Sequence, residues 1–241
     1  MLEKLKNSLQ PLLKNCYRIT AKKMEFVADL AESTRFGGPA YAEEVTQTPV
    51  CATCNNPLSF IFQFKENPLT NQGELLQFFY CFECSPWGGK NETGQWLIRS
   101  FPSPEKDKFH PGASEISELQ PCICKITEVK MLPDFETLEE KGHEAIRICE
   151  QIDKNDPWDV YEETCVAMGC ETEPFSSVGG YQIWIQGHTE KLCPECKKTM
   201  EFIAQIDSEA EADVMWGDAG CVYLFRCKEH PQQFAMEMQC F

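Results

Sequence analysis

Residues 50–64 read VCATCNNPLSFIFQF and residues 192–206 read LCPECKKTMEFIAQI. Few features restrict a fold as much as one phrase written twice in one register. Cys51, Cys54, Leu58, Phe60, Ile61 and Gln63 lie 142 positions before Cys193, Cys196, Met200, Phe202, Ile203 and Gln205, and Gly37-Gly38 stands to Gly179-Gly180 in the same relation. Further on, Cys81 and Cys84 in LLQFFYCFEC match Cys227 and His230 in CVYLFRCKEH at an offset of 146. Surface loops absorb length differences of that size. The chain is therefore expected to contain two copies of one supersecondary unit.

Each copy reads as sheet. Leu58, Phe60, Phe62 and Phe64 alternate with Ser59, Ile61 and Gln63, and Met200, Phe202, Ala204 and Ile206 alternate with Glu201, Ile203 and Gln205. A period of two predicts a strand with one buried face. LLQFFY and CVYLF are the returning strands. The material between the copies differs. LQPCICKITEVKM reads as a strand carrying Cys122 and Cys124, and PDFETLEEKGHEAIRICEQI as one helix with Leu138, Ala145, Ile148 and Ile152 on a stripe. In NDPWDVYEETCVAMG, Asp156 is the expected N-cap, Pro157 the first helical residue and Gly169 the stop. Leu2, Leu5, Leu9, Leu12 and Leu13 fall at helical spacing in a basic N-terminal segment.

The expected fold class is thus α+β: two pseudo-repeated antiparallel β units, each with a zinc-knuckle site, plus an N-terminal helix and a helical acidic connector. The expected boundaries are 1–23 for the amphipathic helix, 24–100 for the first unit, 101–177 for the connector and 178–241 for the second unit.

A Cys-x-x-Cys at a tight turn aims two thiolates at one tetrahedral ion, and a second pair delivered by the returning strand closes the site. Cys51, Cys54, Cys81 and Cys84 form one expected set; Cys193, Cys196, Cys227 and His230 form the other. Histidine and cysteine both ligate Zn²⁺, so His230 at the place of Cys84 fits the pattern. Four protein ligands leave no open position, which makes both Zn²⁺ ions structural and not catalytic. Two other readings stand beside this one: buried free thiols, and a redox dithiol at Cys193 and Cys196. A redox pair gains its low thiol pKa at a helix N-terminus, whereas here a strand pattern follows. Cys122 and Cys124 are a weaker metal candidate or an exposed dithiol. Cys16, Cys149, Cys165, Cys170, Cys221 and Cys240 read as small buried hydrophobes.

The chain holds 15 cysteines, an odd number in 241 residues, which favours reduced thiols in a cytoplasmic protein over a secreted disulfide scaffold. No secretory signal is expected from the N-terminal segment. A net charge of −16 argues against nucleic acid or an anionic membrane as partner, and suits a basic protein partner. Thirteen acids against three bases in residues 134–173 supply −10 of that excess. Catalytic chemistry is not expected. His110 and His188 sit in turn-like settings, and His143 lies among acids where Glu139 or Glu140 would pair with it.

VGGYQIWIQG, CPECKKTMEFIAQID, WGDAGCVYLFRC and MQCF, with FGGPAY, CATCNNPLSFIFQ and FYCFEC earlier, resemble the YwqG-like family of unassigned function, and more distantly the programmed cell death protein two family. The resemblance covers residues 24–241. Trp184 matches the tryptophan of the family's Gly-Gly-x-Pro-x-Trp pattern, whereas Tyr41 stands near that place in the first copy and neither copy has the proline in register. The resemblance implies a non-enzymatic binding protein. Its most concrete form is an immunity protein that blocks a bacterial toxin domain. The alternatives are a chaperone-like adaptor for a basic ribosomal protein and a dithiol oxidoreductase.

Overall fold

A computed structural model describes residues 1–23, 33–43, 48–89, 92, 94–104 and 119–241. Among these, the protein is mostly antiparallel β with few helices. The strands are β1 (Lys14–Lys23), β2 (Arg35–Phe36), β3 (Ser59–Asn67), β4 (Gln72–Tyr80), β5 (Trp96–Phe101), β6 (Cys122–Met131), β7 (Ser177–Gly179), β8 (Glu201–Asp207), β9 (Cys221–Arg226) and β10 (Phe234–Gln239). They form one sheet in the order β10-β9-β8-β7-β1-β6-β2-β3-β4-β5. The helices are α1 (Leu2–Leu9), α2 (Phe135–Glu140), α3 (Glu144–Ile152) and α4 (Pro157–Ala167). None is long and apolar enough to cross a membrane.

The order corrects the expected N-terminal segment. The leucine spacing makes a helix only as far as Leu9, with a single 3₁₀ turn through Leu12, and Leu5 and Leu9 are fully buried. Residues 14–23 then form β1, the centre of the sheet. It pairs with β6 over ten positions, from Lys14 opposite Met131 to Lys23 opposite Cys122, and with β7 on its other side. β6 in turn pairs with β2. Each half of the chain therefore lends its first strand to the other half's strands. Outward from the β1–β6 pair, β2-β3-β4-β5 and β7-β8-β9-β10 run in the same sequence.

Local geometry in the two hairpins corresponds position by position. Both carry a bulge, at Ile61 between Phe60 and Phe62 and at Ile203 between Phe202 and Ala204. The bulge corrects the expected single apolar face. Before it, Leu58 and Phe60 pack outward with Cys51 and Cys81, and Met200 and Phe202 with Cys193 and Cys227. After it, Phe62, Phe64, Ala204 and Ile206 turn into the main core. One extra residue switches faces, as bulges do. Two fully buried glutamines then hold equivalent loops. Gln63 accepts from Tyr41 N and donates to Ser33 O, while Gln205 accepts from Ile183 N and donates to Phe175 O.

The sheet bends around one core. Phe78 and Tyr80 of β4 meet Trp216, which precedes β9, at ring-centroid distances of 6.3 and 5.0 Å. Met238 N of β10 donates to Trp87 O at 3.1 Å, joining the far edge to the loop after β4. A second core lies under the helices, where Leu5 and Leu9 meet Phe135, Leu138, Ala145, Ile148 and Tyr161.

The expected single helix in the connector is two. Gly142 takes φ +60°, a left-handed stop that ends α2. His143 then caps α3, its Nδ1 accepting from Ala145 N at 3.2 Å, instead of pairing with Glu139 or Glu140. Asp156 caps α4 as expected, accepting from Asp159 N, with Pro157 first in the helix and Gly169 at φ +74° after it. The Gly-Gly pairs are needed for their conformation. At Gly180, φ is +81° and a Cβ would stand 2.6 Å from Cys16 Cβ. Gly180→Ala is expected to lower stability by about 2–4 kcal/mol through strain and overpacking against β1, read as a fall in the urea midpoint.

Candidate metal centres

Each cluster is assembled from one turn and one strand end. In the first, Cys51 N donates to Asn56 O and Asn55 N to Cys51 O, folding the turn so that Asn55 adopts φ +59°. In the second, Cys193 N donates to Lys198 O and Lys197 N to Cys193 O, with Lys197 at φ +62°. The turns lead into β3 and β8, whose hairpin partners β4 and β9 end one residue before Cys81 and Cys227. The remaining ligands follow one short turn later.

The expected sets are brought together. The ligand atoms of Cys51, Cys54, Cys81 and Cys84 lie within 4.8 Å of one another, and so do those of Cys193, Cys196, Cys227 and His230. Separations are 3.7 Å for Cys51–Cys84, 3.6 Å for Cys54–Cys81 and 3.6 Å for Cys196–Cys227. His230 Nδ1 stands 3.7 Å from both Cys193 Sγ and Cys227 Sγ. A disulfide needs sulfurs at about 2.0 Å. Tetrahedral bonds of about 2.3 Å to one ion place sulfurs about 3.8 Å apart. The spacing suits a shared cation, and each cluster can hold one metal ion.

The electrostatics point the same way. Burial raises the Cys51 thiol, but the N–H groups of Cys54 and Thr53, together with the neighbouring thiols of Cys54 and Cys81, bring it down to about 7. At Cys193, burial is likewise outweighed, by the N–H groups of Cys196 and Glu195 together with the thiols of Cys227 and Cys196, and the thiol falls to about 6. Backbone dipoles and neighbouring thiols thus favour thiolate at the first position of each set, while Cys81, Cys84 and Cys196 are pushed up beside it. Thr53 N and Cys84 N reach Cys51 Sγ and Cys81 Sγ at 3.4 Å, and His230 N reaches Cys227 Sγ at 3.3 Å. A divalent cation is what allows several neighbouring thiols to ionise together.

One supporting residue escaped the sequence reading. His230 turns Nδ1 to the sulfurs and Nε2 to Glu195, 3.3 Å away. Glu195 is itself held by Gln233 Nε2 at 2.7 Å. A carboxylate behind a ligating histidine fixes its orientation and raises its basicity. Glu195 lies inside the CPEC motif, yet nothing in the spacing ties it to a histidine 35 residues on.

The other expectations divide. Cys122 is buried and its thiol donates to Glu211 O at 3.0 Å; Cys124 packs beside the main core, and neither belongs to a metal cluster among the described residues. Cys16, Cys149, Cys165, Cys170 and Cys221 are buried, whereas Cys240 is half-buried. His188 stands 3.3 Å from Glu140. His110 lies outside the described residues.

With this geometry in view, the chain matches over residues 34–232 the family described as a domain of unknown function, DUF1963. The protein belongs to the DUF1963 family. That match spans both clusters and every strand from β2 to β9, with β1 and β10 outside it. No curated protein matches the chain.

Proposed function

We propose that this DUF1963 protein is a non-enzymatic binding protein. Two structural Zn²⁺ ions hold its shape, and the acidic face of its helices captures a basic protein partner. The most concrete form is a cytoplasmic immunity protein that occludes a toxin domain. The quoted motifs around Gly179-Gly180 and Cys193 support a place in the YwqG-like branch, and the matching bulges, glutamines and strand order support descent from one duplicated unit.

The observation that carries the functional reading is where the acids lie. Of the 13 in residues 134–173, ten are exposed and none is buried, so α2, α3 and α4 offer a predominantly acidic outward surface, with Lys141, Arg147 and Lys154 its exposed bases. Such a face steers an oppositely charged partner and makes capture salt-sensitive. The metal sets support the non-enzymatic side. Cysteine and histidine ligands fit Zn²⁺, and four from the protein fill its tetrahedron, leaving no place for substrate or activated water.

Affinity capture from the native host tests this reading. The intact protein should retain a basic protein at about 50 mM salt and release it at about 500 mM, where screening shortens to a few ångströms. Neutralising Glu139, Glu140, Glu144 and Glu150 should weaken retention at least tenfold. Undiminished capture by that variant would refute the acidic face as the contact.

At the second cluster, Glu195→Gln is expected to weaken Zn²⁺ binding by about 10- to 100-fold while leaving the four ligands in place, measured by competition with a chromogenic chelator.

A further inference from the structure

A cleft of 320 Å³ opens where the helices meet the second unit. One wall is the start of α2 and the side of α4; the other is residues 183–187, which contain the Trp of the Gly-Gly motif. Its apolar surfaces include the rings of Trp158, Trp184 and Phe241, and its carboxylates include Glu136, Glu162 and Glu173. No Lys, Arg or His is among its lining residues. Trp158 is half exposed and makes no ring contact among the described residues, while Trp184 is anchored on Tyr223 at 4.5 Å and on Phe225 at 6.1 Å. Those two anchors belong to the outward cluster around Cys193 and Cys227, so the second metal centre supports this wall.

The other lining acids already have work. Asp134 caps α2 and Glu171 pairs with Arg18 at 2.9 Å. Glu136, Glu162 and Glu173 form no ion pair among the described residues. Burial, then the charges of Glu173 and Asp159, hold the Glu162 carboxyl above its ordinary range. Like charges gathered beside aromatic faces are a repulsion that a planar cation relieves. A guanidinium stacks on an indole and gives five N–H donors to carboxylates, where an ammonium gives a point charge. The volume suits one such side chain with part of its backbone.

We propose that this cleft receives an arginine side chain of a basic protein segment. The inference rests on the acidic-face reading above and adds where on that face recognition is concentrated. The probe is a fluorescein-labelled ten-residue Gly-Arg repeat peptide, titrated into the full-length protein at 50 mM NaCl and followed by anisotropy. Saturable binding is expected, weakened at least tenfold in Glu162→Gln/Glu173→Gln and at least threefold in Trp158→Ala. Asp153→Asn/Glu163→Gln, which removes the same charge from exposed acids outside both the cleft and the four named above, should weaken it less than threefold. All variants should keep the parent's far-ultraviolet circular dichroism and melting temperature, since the substituted side chains are exposed or half-buried. Equal losses in the two charge-removing double variants would overturn the cleft and leave the acidic face standing. No binding by the parent protein would overturn both.

Discussion

Stripping the metal with a strong zinc chelator is expected to unfold the protein cooperatively at 37 °C, or to lower its melting temperature by more than about 20 °C. The size follows from two magnitudes. Structural zinc contributes apparent binding free energies of about 10–16 kcal/mol per site, while a domain's whole stability is about 5–15 kcal/mol. The places affected are specific. Cys51 and Cys193 are fully buried and sit against Leu58 with Phe60 and Met200 with Phe225, so releasing the turns uncovers the outward clusters of both hairpins. Cys193→Ser should reproduce much of the effect at one site. Cys240→Ser, at a half-buried thiol outside both clusters, should stay within about 1 kcal/mol of the parent. Circular dichroism against temperature separates these outcomes, and a chelated protein that melts where the parent does would contradict the structural role.

Expressed as separate chains, residues 1–104 and 119–241 are expected to be unfolded or insoluble alone and to assemble one to one when produced together. β1 is the reason. Both of its neighbours, β6 and β7, come from the later part of the chain, and the inner neighbour of β2 is again β6. Residues 1–104 alone would leave β1 without a ladder and expose Leu5, Leu9 and Ile19, all buried in the whole protein. Residues 119–241 alone would lose the strand between β6 and β7, breaking the sheet at its centre. Unpaired strand edges and uncovered apolar surface drive aggregation. Size-exclusion chromatography of the co-expressed pair against each half decides it; a soluble, cooperatively melting single half would contradict the exchanged arrangement.

The same strand shows where the sequence was hard to read. KNCYRITAKK exposes Lys14, Asn15, Thr20, Lys22 and Lys23, although it lies mid-sheet. Its apolar residues continue the leucine spacing upstream, so helix and strand patterns run together with only Pro11 between them. The bulges were hidden for a different reason. Phe60-Ile61-Phe62 is apolar on both faces, and alternation carries no mark of where the faces exchange. Gly142 did mark the break between α2 and α3, but a lone glycine in a helical pattern is often tolerated. The eight positions of the two candidate metal clusters were legible because Cys and His have few reasons to recur at fixed spacing, and the hairpins because their length is set by the partner that returns. The cleft was not, since Trp158 and Trp184 belong to segments that meet only once the helices dock on the second unit.

Elemental analysis of protein purified without added metal tests the central claim most directly. Two zinc ions per chain are predicted, one at each cluster, retained through gel filtration. A folded chain that carries none would contradict the account.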